Sequence, residues 1–509
     1  HSCVVLVSDR QRERNIRKPV YKETLSKDLT KLGRIEEATH DVAQSFAKIG
    51  LGLLFLVAVW AAATLISGEM ENRVFIIIAG VLGGYMAMNI GANDVANNMG
   101  PAVGSKVLTL GGALVIAAVF EGAGALIAGG DVVRTISKNI IDAEAFADGT
   151  TFVWAMMSAL LAAALWINIA TYLNAPVSTT HSIVGGVMGA GIAAAGFAVV
   201  NWPTMGKIAA SWVISPFLGG VIAAIFLAFI KAFIIYQPDK IAGAKRWVPV
   251  LVALMVGVFS MYLMVKGLKR VWRPEPWVVF AIGGGACAAA YAILRPVIVR
   301  AAHGMENRNK SIRTLFTIPL ICSTALLSFA HGSNDVANAV GPLAAIVATA
   351  GTGAVAAKVT IPLWVMVIGA LGIAAGLALF GPRLIRMVGS NITKMNPMRA
   401  YCVALSAAIT VLIASALGLP VSTTHIAVGA VFGVGFYREW WTGRRTHINH
   451  GRYRNGLKPS EKEDPAVRAA RRKLVRRQHV MTIAAAWIVT VPSTAVIAGG
   501  LFWLTRLIH

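Results

Sequence analysis

Apolar residues fill this chain in long blocks separated by short polar ones. Hydropathy marks thirteen such stretches: 50–68, 74–92, 107–128, 152–173, 182–200, 208–235, 249–265, 277–298, 314–331, 361–380, 400–417, 423–437 and 480–506. Most approach the roughly 20 residues that a helix needs to cross a bilayer core of about 30 Å. The stretch at 423–437 is short, and Gly-rich stretches read as broken helices. The fold class expected is an all-α polytopic membrane protein.

Against that apolar background, one polar motif occurs twice. Residues 91–101 read GANDVANNMGP and residues 332–342 read GSNDVANAVGP, identical at eight of eleven positions. Each is followed by PVSTTH, at 176–181 and 420–425, and then by V-G-x-V-x-G-x-G ending at Gly191 and Gly435. A weaker match in the same order pairs RTISKNI at 134–140 with RMVGSNI at 386–392.

Charge placement orients the spans, because cytoplasmic loops collect Lys and Arg. With the leading tail inside, segment 381–399 falls inside with Arg383, Arg386, Lys394 and Arg399 and no acid. Segment 438–479 also falls inside, with thirteen Lys/Arg against four acids, and the acidic loop 129–151 falls outside. Loop 266–276, carrying Lys266, Lys269, Arg270 and Arg273, lands outside and breaks the rule. Seven spans separate the one starting at 74 from the one starting at 314. That odd number makes the repeats, 74–235 and 314–506, inverted, with broken half-helices expected at their interface. A linker at 236–313 contributes two spacer spans. An extra span at 50–68 and a soluble tail at 1–49, with ten Lys/Arg and seven Asp/Glu, precede the repeats. Inverted repeats place a binding site near the bilayer midplane, between the halves.

Composition narrows the function classes. The chain is 56% hydrophobic and 14% charged, against about 25% charged in a soluble protein. The net charge of +24 sits in tails and loops beside apolar spans, so it reads as membrane orientation and not as a nucleic-acid partner. Cys287, Cys322 and Cys402 lie in apolar stretches and Cys3 in the tail, none at disulfide or metal-ligand spacing. The tail lacks the layout of a signal peptide.

The candidate chemistry lies in the repeated motifs. Asp94 and Asn97 are i and i+3, so on a helix they share a face, as do their copies Asp335 and Asn338. Such a pair can coordinate a small cation or hydrogen-bond a polar solute. The plainer alternative makes Asn93–Asp94 a helix cap, with Gly91 and Pro101 in loops. Duplication favours the functional reading. In PVSTTH, Ser178, Thr179 and Thr180, with copies Ser422, Thr423 and Thr424, would open a helix after a break at Pro176 or Pro420. Free amides, hydroxyls and the positive end of a helix dipole gather there, which suits an anion. Ordinary Ser/Thr capping is again the alternative. His181 and His425 follow, and bracing of the broken helix is favoured over titration or metal binding. Glu121 is an acid inside an apolar stretch with no partner nearby in sequence, a functional candidate by default. Clamps that attract an oxyanion conflict with carboxylates that repel it. Bound cations or protons would remove the conflict, so the set reads as a symport site.

With both motif pairs in order, residues 74–506 resemble the PiT inorganic phosphate transporter family. The resemblance implies phosphate symport driven by protons or sodium, an inverted-repeat fold, a homodimer and no catalytic activity or cofactor. By matching positions it implies a phosphate site of Asp94, Asn97, Ser178 and Thr179 with Asp335, Asn338, Ser422 and Thr423, completed by Thr180 and Thr424. The two Asp-x-x-Asn units would also hold coupling ions, and Glu121 matches a glutamate associated with transport. Whether free phosphate or a metal–phosphate complex is carried stays open. A sulfate permease, a passive anion channel and a membrane-embedded phosphoester hydrolase are the rival readings. The short loops suggest a bacterial inner membrane. The basic segment 438–479 reads as a solvated loop, with a regulatory protein or anionic membrane lipid as alternative ligands.

Overall fold

The structure is a computed structural model that describes residues 46–70, 72–173, 175–267, 274–352, 361–391, 395–452 and 477–508, with single positions 43 and 272. The tail reading for 1–42 and most of the basic segment, 453–476, lie outside the described residues. The chain divides into His1–Leu54 and Phe55–His509, and everything below concerns the larger unit unless stated.

The described residues are almost wholly helical. In order they are α1 (Phe46–Ser67), α2 (Arg73–Gly104), α3 (Leu110–Ala128), α4 (Gly130–Arg134), α5 (Gly149–Tyr172), α6 (Thr179–Ala195), α7 (Trp202–Ile230), α8 (Lys240–Tyr262) and α9 (Pro276–Ala301). After the spacer come α10 (Asn309–Leu315), α11 (Thr317–Thr352), α12 (Leu363–Leu379), α13 (Gly381–Asn391), α14 (Pro397–Ala416), α15 (Thr423–Arg452) and α16 (Arg477–Ile508). Local chemistry starts many of them. The side chains of Thr109, Asp148, Ser178, Asn201, Asp239 and Asn396 each accept a hydrogen bond from an amide of the first helical turn, filling donors that a helix start leaves open.

Two sequence expectations need correction. Thirteen spans were expected. Among the described residues nine helices are long and apolar enough to cross a membrane, or ten if the bent pair α10–α11 is one span. Hydropathy averaging over-counts here because α6 and α12 have only 17 residues each. Secondly, the spans at 74–92 and 314–331 were expected to stop at the motifs. Instead α2 runs 32 residues and α11 36 residues, straight through both motifs, with Pro101 and Pro342 inside them. Each proline withdraws the amide that would bond the carbonyl of Asn97 or Asn338. Gly91 is therefore no loop residue. It is where another helix crosses.

The glycine crossings also reveal the duplication in three dimensions. A Cβ on Gly91 in α2 would collide with the carbonyl of Ile373 in α12, and one on Gly332 in α11 with the carbonyl of Glu121 in α3. Gly376 meets Met88 as Gly124 meets Phe329, and Gly381 meets Val95 as Gly129 meets Val336. Gly189 abuts Ala495 of α16 as Gly433 abuts Gly220 of α7. In these four pairs a helix packs on one of the opposite repeat, and the contact recurs with the repeats exchanged. Small residues permit such close crossings where no hydrophobic drive separates helix from lipid. The same register makes Ile373 the counterpart of Glu121, Ile90 that of His331, and Ala339 that of Asn98. Helices α2, α5 and α14 have the most buried apolar windows and α9 the least.

The loop that broke the charge rule also finds an explanation. Lys266 places its Nζ 2.7 Å from Asp131 Oδ2 and donates to the Ala416 carbonyl at 2.7 Å. One of its four cations is therefore neutralised locally.

Candidate functional site

The two motifs and the two PVSTTH turns meet at one buried centre. Asp94 and Asn97 come from the middle of α2, Asp335 and Asn338 from the middle of α11. The hydroxyls come from the starts of α6 and α15. Asn93 and Asn334 lock this arrangement in matching fashion. Asn93 donates to Thr171 Oγ1 at 2.9 Å and to the Ala175 carbonyl, and accepts from the Val177 amide. Asn334 donates to Ser415 Oγ at 3.0 Å and to the Leu419 carbonyl, and accepts from the Val421 amide. Each asparagine thereby ties its motif helix to the break before the half-helix.

Ser178 and Ser422 act as caps. Their Oγ atoms accept from the amides of His181 at 3.1 Å and His425 at 3.3 Å. The capping alternative therefore holds for both serines, while the threonines beside them turn into the centre. Thr179 Oγ1 lies within donating distance of both carboxylates, 2.9 Å from Asp94 Oδ2 and 3.1 Å from Asp335 Oδ2. Its single proton can serve one at a time. Thr423 donates to Asp335 Oδ2 at 3.3 Å and Thr424 to Asp94 Oδ1 at 3.0 Å. Asn97 donates to Thr424 Oγ1 at 2.8 Å, and Asn338 to Thr179 and Thr180, both at 3.2 Å. The structure so joins Asp94, Asn97, Thr179, Thr180, Asp335, Asn338, Thr423 and Thr424 in one hydrogen-bonded cluster. These residues are buried, and the centre is closed to solvent.

Glu121 belongs to the same centre, and it is not unpaired. Asn98 donates to its Oε1 at 2.8 Å, and His331 Nδ1 lies 3.1 Å from its Oε2. The far side of that imidazole faces both aspartates, with Nε2 at 3.6 Å from Asp94 Oδ2 and 3.4 Å from Asp335 Oδ2. Sequence reasoning missed His331 and Asn98. A signal existed: both are polar where the other copy carries Ile90 and Ala339. One donor atom each from Asp94, His331 and Asp335 falls within 4.8 Å of the others, a set able to hold a metal ion. The sequence reading assigned no metal ligand. Two like charges about 4 Å apart repel by roughly 4 kcal/mol at an effective dielectric near 20. A cation or proton shared at this point relieves that repulsion.

His181 and His425 meet one another directly. Their rings stand edge to face with centroids 4.4 Å apart, and His181 also packs on Trp212 at 3.8 Å. Trp212 donates to the Pro420 carbonyl at 3.1 Å, so an aromatic group from α7 supports the broken turn of the opposite repeat. This geometry agrees with the bracing role read for the histidines.

Comparison with known proteins places this centre in context. Residues 90–498 match the phosphate transporter family. A protein of Helicobacter pylori, named as a candidate phosphate permease, is 51% identical over 416 residues, covering 81% of this chain and 78% of its own. The chloroplastic inorganic phosphate transporter 2-1 of Arabidopsis thaliana is 36% identical over 455 residues, covering 83% of this chain and 71% of its own. A solved structure described as the sodium-dependent phosphate transporter superposes with a TM-score of 0.75 at 34% identity, covering 86% of this chain and 100% of its own.

Proposed function

Because the chain belongs to the phosphate transporter family, we propose that it carries inorganic phosphate across a membrane, by symport with a cation and alternating access of inverted repeats. Its relatives are transporters and permeases, not enzymes, which sets aside the hydrolase reading. The observation that carries the proposal is the competition for hydroxyls at the centre. Thr179, Thr423 and Thr424 now donate to carboxylates. A cation or proton on Asp94 and Asp335 weakens the pull of those carboxylates. The hydroxyls, and the positive ends of α6 and α15, then become free to receive phosphate oxygens. Each ligand thus favours the other, and the coupling is reciprocal.

Asp94, Asn97, Asp335 and Asn338 are the residues placed to hold the coupling ion, with Glu121 acting through His331. Ser178, Thr179 and Thr180 with Ser422, Thr423 and Thr424 form the phosphate clamp. Phosphate leads over sulfate because at neutral pH it brings a proton that a carboxylate can accept. The description of the structural neighbour as sodium-dependent supports sodium as the driving ion. The cargo is free phosphate or its metal complex, the working unit a homodimer, and the setting a bacterial plasma membrane.

The test is phosphate uptake into proteoliposomes, with sodium and pH gradients imposed separately. Uptake is expected to follow the sodium gradient and to vanish in Asp94→Asn. Uptake that follows only the pH gradient would replace sodium by the proton at the same residues. Folded protein that moves sulfate but no phosphate would overturn the assignment.

A further inference from the structure

The turn between α14 and α15 is fastened to the first repeat by groups that the centre does not use. Helix α14 ends at Ala416, and Gly418 just beyond it takes a φ of +68°. Glycine adopts that conformation without strain, and it turns the chain out of the helix. Two carbonyls of this turn take their donors from elsewhere. Thr135 Oγ1 donates to the Gly418 carbonyl at 2.7 Å, and Lys266 Nζ donates to the Ala416 carbonyl at 2.7 Å. A cation suits the negative end of a helix dipole. The same ammonium lies 2.7 Å from Asp131 Oδ2, and the two side chains are only 19% and 23% exposed.

One lysine thus joins Asp131 in α4 of the first repeat to the end of α14 in the second. Lys266 itself comes from the spacer, in the helical turn Leu263–Gly267 that continues α8. Gly267 lets that turn sit close to α3, since a Cβ there would lie 2.8 Å from Ile127 Cγ2. The fastened turn leads directly into the centre. Asn334 holds Ser415 Oγ, the Leu419 carbonyl and the Val421 amide, and Thr423 and Thr424 then reach the aspartates. Movement of the turn would therefore move those hydroxyls. The turn between α5 and α6 lacks the fastening. In the register of the glycine crossings Arg383 stands where the first repeat has Asp131, and Met387 where it has Thr135. Neither bond can be copied there, and Tyr172 at that turn is 77% exposed.

We propose that Lys266 is a positioning residue for transport: with Asp131 and Thr135 it latches the α14–α15 turn, and release of the latch opens the centre on that face. With the repeats inverted, the two turns close opposite faces. The acidic loop 129–151, which contains Asp131, puts the latch on the outer one. The opening step rests on the alternating-access reading, whereas the latch does not.

Hydrogen exchange on the detergent-solubilised full chain reads the latch without transport. Lys266→Met is expected to speed amide exchange in the α14–α15 turn about tenfold, the size of one charge-assisted hydrogen bond, and to leave the α5–α6 turn unchanged. Asp131→Asn should do the same, and Lys266→Arg, which keeps the charge, should restore slow exchange. Unchanged exchange in Lys266→Met, or faster exchange at both turns alike, would overturn the latch. In proteoliposomes Lys266→Met should lower the KM for phosphate offered at the outer face more than it changes kcat, because a larger fraction of the protein is open there. An unchanged KM with a lower kcat would overturn the opening step. Faster exchange at the one turn, in protein whose parent chain takes up no phosphate, would uphold the latch and sink the transport reading instead.

Discussion

The two repeats share their packing and differ in their charges. Four glycine crossings recur with the repeats exchanged, among them Gly91 on Ile373 against Gly332 on Glu121 and Gly189 on Ala495 against Gly433 on Gly220. The locking asparagines recur, and so do the capping serines. The polar chain Asn98–Glu121–His331 does not. It is assembled from both halves, and its counterpart positions hold Ala339, Ile373 and Ile90. Duplication therefore accounts for the paired motif residues and turns, while the chain Asn98–Glu121–His331 occurs once, along one diagonal. The aspartates differ accordingly. Asp94 receives Thr424 on Oδ1, whereas Asp335 Oδ1 is buried with no hydrogen-bond partner. The corresponding hydroxyl, on Thr180, is turned to the Val421 carbonyl at 2.9 Å. The two halves thus present the same residue types to carboxylates that are not equivalent.

The sharpest way to break this comparison is to cut the diagonal. Glu121→Gln or His331→Gln leaves buried charge without its partner, a loss of about 3–5 kcal/mol. Each is expected to lower uptake on the order of 100-fold. The double variant should do no worse than the poorer single one, because the two act as a unit. Ile373→Val and Ile90→Val at the counterpart positions should cost about 0.5–1.5 kcal/mol of stability and leave transport nearly intact. Initial uptake rates, with thermal unfolding as control, give the cycle. Additive losses, or equal losses on both diagonals, would remove the asymmetry from the mechanism.

A finer test compares Thr424 with Thr180. Thr424→Val takes a hydroxyl from a buried carboxylate, which costs about 1.5–3 kcal/mol, whereas Thr180→Val takes one from a carbonyl and costs about 1 kcal/mol. The melting temperature without phosphate should fall further for Thr424→Val. An equal fall would mean that the carboxylates are equivalent after all.

The clustered motif residues were legible in the sequence because they are written twice. Asp94 and Asp335, with the two PVSTTH turns, stand out by repetition. The same logic hid the diagonal. His331 lies one residue before the shared motif and its counterpart is Ile90, so a search for repeated polarity discards it. Asn98 sits inside the motif at one of its three mismatched positions, where Ala339 makes it look dispensable. Its value comes only from the crossing that carries Glu121 to α11. The span count failed for a different reason. Hydropathy averages over about 19 residues, so it treats a 17-residue half-helix such as α6 as a full crossing. It also cannot see that α2 stays helical through two Gly, three Asn and a Pro when its surroundings are other helices.

The smallest expected effect lies at the starts of α5 and α14, the helices whose far ends meet the centre through Thr171 and Ser415. Asp148 caps α5 by accepting from the Thr151 amide at 2.7 Å, and Asn396 caps α14 by accepting from the Arg399 amide at 3.0 Å. The position is equivalent in role, but only the first cap can titrate. The Thr151 amide holds the Asp148 carboxyl below its ordinary value. A folded-state value below the unfolded one means that the cap contributes fully above the usual carboxylate range. That contribution is lost as pH falls through the folded value. Asp148 is largely exposed, so solvent screening keeps the effect small, a few tenths of a kcal/mol. In a melting series from pH 7 to about pH 3, Asp148→Asn should flatten part of the acid-side decline. Asn396→Asp should add to it by giving the second repeat a titrating cap of its own. If Asp148→Asn leaves the acid limb unchanged, the cap contributes nothing as a charge, and the two repeats start their central helices on equal terms.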